Sequence, residues 1–265
     1  MPAPKSQSSS TITRQFPVQS PFSDHRNPCH NLESRGTREM HSSEVLNALK
    51  KLRDPRNVSG TARFGIRPAV ALGVTKPALR KLAHDLGQDH YLAQELWESG
   101  VHEARVLSSM IDEPAKVTAD QMDTWANDFD NWDICDQCCL NLFWKTAFAH
   151  EKAEEWSTDG GEFVKRAGFV LMACLAIHDK KAGDAAFRRY LTIIKRESMD
   201  DRNFVRKAVN WSLRQIGKRN AGLRQKAIEV ALELQQAESK SARWIGSDAL
   251  RELSSEAVRR RVNSK

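Results

Sequence analysis

From residue 41 onward, apolar side chains return at three- and four-residue intervals, and alternation of β-branched residues is scarce. That period is the stripe of an amphipathic helix and excludes a sheet protein, whose apolar residues would alternate. It predicts helices over Ser43–Leu49 and about 89–99, 101–111, 118–129, 132–149, 162–178, 183–197, 202–218, 221–237 and 241–253. Another is opened by Thr75 with Pro77 in its first turn and closed by Gly87. Within this all-α chain, Phe163-Val164-Lys165-Arg166-Ala167 is echoed by Phe204-Val205-Arg206-Lys207-Ala208, 41 residues later. Two helices fit such an interval, which is the period of HEAT and armadillo arrays. The expected fold is therefore a HEAT-like helical-repeat solenoid with a concave face, spanning residues 41–255.

Residues 1–40 are rich in Ser, Pro, Gln, Thr and Arg without an apolar period, and are expected to be disordered. Residues 256–265, with Arg259-Arg260-Arg261, read as a flexible basic tail. No apolar run is long enough to span a bilayer, and no secretory signal opens the chain, so a cytoplasmic, intracellular protein is expected. Five cysteines, Cys29, Cys135, Cys138, Cys139 and Cys174, make an odd count that suits a reducing compartment. Cys135, Cys138 and Cys139 have ligand-like spacing with His150 downstream, but no second pair completes a tetrahedral set, so no metal is expected. His102, His150 and His178 stand singly on helices and read as packing or surface residues rather than general bases.

The formal charge is +7. It is distributed unevenly: residues 112–162 hold 13 Asp or Glu and 3 Lys, whereas residues 200–265 hold 15 Lys or Arg and 8 acids. The basic half suits a polyanion, although solvated helix faces also carry such blocks. Between the two lies Asn131-Trp132-Asp133-Ile134-Cys135-Asp136. Trp132 and Asp136 are four apart, so a helix sets an indole and a carboxylate on one face. Asp133 lies about 100° round the axis and is expected to cap the helix start. A lone Trp in a helical protein ordinarily packs in the core. Trp211, however, falls where the preceding repeat has Val170, and Arg166 corresponds to Lys207, so both repeats carry a cation there.

The Asn131–Asp136 run and the two Phe-Val echoes, the second continuing Val209-Asn210-Trp211-Ser212-Leu213-Arg214, together resemble the DNA alkylation repair family of AlkD-type glycosylases. Leu72-Gly73-Val74-Thr75-Lys76-Pro77 with Arg80, Glu95-Leu96-Trp97 and Glu103-Ala104-Arg105 fit the same family, and the match covers roughly residues 61–253. The resemblance implies a concave face that holds duplex DNA, as a monomer, and excises cationic N-alkylated purines such as 3-methyladenine or 7-methylguanine without a base-binding pocket. It also implies no metal or organic cofactor. It gives Asp136 as the catalytic carboxylate, Trp132 and Trp211 as aromatic plates flanking the lesion's sugar and backbone, and Arg166 as a phosphate contact. Some relatives carry an aromatic where this chain has Asn131. Lys165, Arg206, Lys207, Arg214, Lys218, Arg219 and Arg243 are further candidates for the DNA backbone. The alternative is a noncatalytic HEAT-like module binding DNA structures or proteins.

Overall fold

A computed structural model describes residues 40–63, 65, 66 and 68–264; the segment expected to be disordered lies, apart from Met40, outside the described residues. Among them, α-helices account for nearly all regular structure: α1 (Ser42–Lys51), α2 (Pro55–Ala62), α3 (Lys76–Leu86), α4 (His90–Glu98), α5 (His102–Ile111), α6 (Ala119–Asn127), α7 (Trp132–Asn141), α8 (Ala149–Trp156), α9 (Glu162–His178), α10 (Asp184–Glu197), α11 (Asn203–Gly217), α12 (Ala221–Gln235), α13 (Lys240–Leu253) and α14 (Glu256–Asn263). A 3-10 turn covers Phe143–Lys145, and the described residues hold no strand beyond the single bridge between Val70 and Val101.

The odd-numbered helices from α3 to α13 pack each against the next, as one layer, and α4, α8, α10 and α12 back α5, α9, α11 and α13. This is the paired stacking of a helical repeat, in which each pair hides its apolar stripe against its neighbours. α9 sits at the centre, and every residue from Lys165 to Ala176 on it is buried. Its sequence is accordingly apolar on all sides. Trp97 of α4 and Trp125 of α6 stack at 4.0 Å with their planes 2° apart, joining the early pairs.

Helix starts follow local chemistry. Asn220 accepts from Leu223 N at 2.8 Å to open α12, and Gly87 closes α3 at φ 75°, where a side chain would be strained. The expected 132–149 helix is broken at Leu142, whose φ of −125° and ψ of −64° leave the helical region. The chain then turns through Phe143–Lys145 and begins α8, whose residues carry only a thin apolar stripe. The tail expected to be flexible is helical as α14: Ser255 accepts from Val258 N, and Val258 and Val262, four apart, are buried. Those two valines form the stripe that the surrounding arginines mask in the sequence. No helix among the described residues is long and apolar enough to cross a membrane.

Two pairs close on glycines. A Cβ at Gly168 would meet Ser157 N at 2.6 Å, and one at Gly246 would meet Ala231 O at 2.5 Å, both backbone atoms that cannot turn aside. Gly168→Ala and Gly246→Ala should each cost about 1–3 kcal/mol through forced separation of α8 from α9 and of α12 from α13. Urea unfolding would register this as a lowered midpoint, and an unchanged midpoint would mean the pairs are loosely packed.

Candidate functional site

The first turn of α7 is held from three directions. Asn131 is its cap, at φ −157° and ψ 164°, and its Oδ1 accepts from Asp133 N at 3.0 Å and Ile134 N at 3.2 Å. An aromatic at this position could not do so, which gives the departure at Asn131 a local use. Asp133 does not cap. Placed one turn position inside the helix, its carboxylate turns away and accepts from Lys76 Nζ at 2.7 Å and His102 Nε2 at 3.0 Å. Burial works against that charge, but the hydrogen bond from His102 and the ammonium of Lys76 hold the Asp133 carboxyl below its usual value of 3.8.

The upstream motifs supply these partners. Glu103 accepts from Leu72 N at 2.8 Å and Gly73 N at 2.6 Å, tying down the chain that delivers Lys76. Gly73 is required there: its φ is 78°, and a Cβ would meet Asp54 O at 2.1 Å. Arg105 donates to Asp128 at 3.1 Å and lies 5.0 Å from the centre of Trp97, whose Nε1 donates to the same carboxylate at 2.8 Å. Part of the acidic segment is therefore committed to partners within the molecule, whereas Asp120, Asp130, Glu151, Glu155 and Asp159 remain exposed. Asp112 accepts from His90 and Gln121, and Asp123 accepts from Lys152 and Trp156.

One turn along α7, both oxygens of Asp136 accept from Arg166 of α9, from Nε at 2.8 Å and Nη2 at 2.8 Å. The same guanidinium donates from Nη1 to Phe204 O at 2.6 Å and lies 5.9 Å from the centre of Trp132. The paired side chains are 14% and 9% exposed, so the pair is reachable from solvent but mostly dry. Burial pushes the Asp136 carboxyl above its ordinary value, opposed by the attraction of Arg166. Trp132 is half-buried. So is Trp211, one rung further on α11; the Gln215 amide, oriented to satisfy both its ends, accepts from Trp211 Nε1 at 2.8 Å. Arg166 thus binds Asp136 and lies near the ring of Trp132, while Trp211 stands on α11, the helix whose first turn Arg166 grips.

Several cations expected at a phosphate backbone are occupied. Lys165 is buried between Glu197 at 2.8 Å and Asp200 at 3.0 Å. Arg214 and Lys218 both bind Glu252, each at 2.6 Å. Arg219 donates to Ala176 O in the last turn of α9 and to Ala182 O beyond it, and Arg243 to Ala237 O and Glu238 O in the connection after α12. Lys207 is exposed, and Arg206 lies 5.1 Å from the centre of Trp244. The sequence signal passed over Trp244, Lys76 and Asp133's true partners, because each depends on a contact from a distant helix. His102 is buried against Asp133, His150 lies between Tyr190 and Asp179, and His178 stacks on Trp144. Cys135, Cys138, Cys139 and Cys174 are buried and unbridged, and no cluster able to hold a metal occurs among the described residues.

A family model for DNA alkylation repair enzymes matches residues 45–253. A solved structure, from a new family of proteins related to the HEAT-like repeat DNA glycosylases with affinity for branched DNA structures, is similar with a TM-score of 0.68 at 19% identity. The match covers 80% of this chain and 95% of that one. At that identity the likeness is one of fold, a HEAT-like helical repeat. No curated protein matches the sequence.

Asp133→Asn, which leaves the Lys76 and His102 donors without their anion, should cost about 1–3 kcal/mol at neutral pH. Because the folded-state value is lowered, the stabilisation is complete above the ordinary carboxylate value of 3.8 and is lost as pH falls below it. Wild type and variant should therefore converge in denaturant midpoint under acid conditions, and a constant gap down to low pH would refute the ionic account.

Proposed function

The chain belongs to the DNA alkylation repair enzyme family, and on that premise we propose that it is a DNA glycosylase releasing positively charged N-alkylated purines, of the 3-methyladenine and 7-methylguanine type, from duplex DNA. The observation that carries this reading is the Asp136 carboxylate held bidentately by Arg166 beside Trp132. An alkylated purine already bears a positive charge and leaves as a neutral base, taking the electrons of the N-glycosidic bond. It needs no general acid, so one carboxylate suffices where a glycosidase uses two. The sugar left behind gains oxocarbenium character, which ionised Asp136 stabilises. Water adds to the anomeric carbon, and Asp136 orients it and accepts its proton.

In this scheme Arg166 exchanges one or both of its bonds to Asp136 for a DNA phosphate, freeing the carboxylate as DNA binds. A guanidinium suits either planar partner. Trp132 and Trp211 offer π faces to the cationic sugar, each contributing about 0.5–2 kcal/mol. Selectivity then rests on the lesion's charge and its weakened bond, with no base pocket, metal or organic cofactor, and the protein acts as a monomer. A second reading is a noncatalytic binder of DNA structures. It is favoured by the occupation of both Asp136 oxygens by Arg166, and the structurally similar protein has affinity for branched DNA.

The two readings separate in one assay. Asp136→Asn should lower release of 7-methylguanine from methylated duplex DNA at least about 100-fold while leaving its affinity for that DNA nearly unchanged. No release by wild type would favour the second reading, and equal release by the variant would remove Asp136 from the chemistry. Since burial raises the Asp136 value, the rate should fall with decreasing pH before an ordinary aspartate would titrate. Arg166→Ala removes the cation that favours the charged form, so the acid limb of the pH–rate profile should move to higher pH.

A further inference from the structure

Of the seven tryptophans, Trp244 alone is exposed, at 38%. It projects from α13 against the guanidinium of Arg206 on α11, 5.1 Å from the ring centre. Leaving an indole in water forfeits the burial that the other tryptophans gain, and the cation fixes the ring where it stands. Beyond that ring, the cation meets no carboxylate. Nη2 of Arg206 reaches only Asn203 Oδ1, at 3.4 Å, and its Nε has no acceptor among the described residues. Arg214, Lys218 and Arg251, on the same two helices, all meet carboxylates.

At about 100° per residue, Lys207 falls on α11 between Arg206 and Trp211. Lys207 is exposed, and no carboxylate lies within ion-pair distance of it or of Arg206 among the described residues. One stretch of the layer therefore presents an open aromatic ring, a planar cation beside it and a second unneutralised cation. A planar ring with a phosphate attached is the ligand this chemistry suits, namely a nucleotide. In a duplex both faces of each base are already covered by neighbouring bases, so an indole gains stacking only from a base that is not paired and stacked.

We propose that Trp244 and Arg206 form a stacking site for an unpaired nucleotide of a DNA strand, with Lys207 on an adjoining phosphate. This site shares α11 with Trp211 and extends from it to α13. It rests on the DNA-binding part of the proposed function but not on catalysis. The protein would then hold a disrupted or single-stranded segment at α11–α13 more tightly than continuous duplex.

The test measures fluorescence anisotropy of two unmethylated DNAs at one fixed salt concentration: an intact duplex, and the same duplex interrupted by a short single-stranded gap. Wild type should prefer the gapped DNA, and Trp244→Ala should reduce affinity for it by about 5- to 150-fold, collapsing the preference. Trp244→Phe should retain most of the preference, whereas Trp244→Leu, apolar but without a π face, should lose it. Equal binding of both DNAs by wild type, or full preference in Trp244→Leu, would overturn the site. If wild type binds both DNAs equally yet releases 7-methylguanine, only the stacking site fails. If it binds neither DNA and releases no base, the proposed function fails with it.

Discussion

One guanidinium joins three successive helices of the layer. Arg166 rises from α9, closes two hydrogen bonds on Asp136 of α7 and a third on the carbonyl of Phe204, where α11 begins. Withdrawing both charges from water is costly, and only the fork geometry and the extra carbonyl offset it. Loss of either partner would strand the other in a poorly hydrated place. The contact is thus a structural tie, and the same atoms are the ones on which the proposed chemistry would draw.

Around this tie the charges divide by purpose. The acid-rich middle of the chain is partly neutralised from within. Asp112, Asp123, Asp128 and Asp133 each take up a donor from another helix or loop. The basic C-terminal part is likewise reduced from within, since Arg202, Arg214 and Lys218 are matched by Asp200 and Glu252. The cations left without a carboxylate are local, with Arg206 and Lys207 on α11, Arg243 on α13 and Arg261 on α14 among them.

Much of this was legible in the residue order. The three- and four-residue period located α3 through α7 and α9 through α13 because burial of one stripe is a local property of a helix. The four-residue step from Trp132 to Asp136 placed both on the opening turn of α7 for the same reason. What escaped depended on partners far along the chain. Nothing near Asp133 shows that Lys76 and His102 will arrive, and nothing near Lys165 announces Glu197. The break at Leu142 and the short stripe of α14 escaped for another reason: too few residues carry the period. The weak matches at Leu72–Lys76, Glu103 and Arg105 are now intelligible, because these residues brace the start of α7.

The four described thiols sit at the same seam. Cys135 and Cys139 point across α7 at the carbonyls of Phe163 and Ala167, and burial pushes the Cys138, Cys139 and Cys174 thiols up from their usual value. A thiol reacts with electrophiles as its anion, which burial disfavours at Cys138, Cys139 and Cys174, and all four lie away from solvent. Sulfur hidden in this way is spared from electrophiles that reach the surface of the protein.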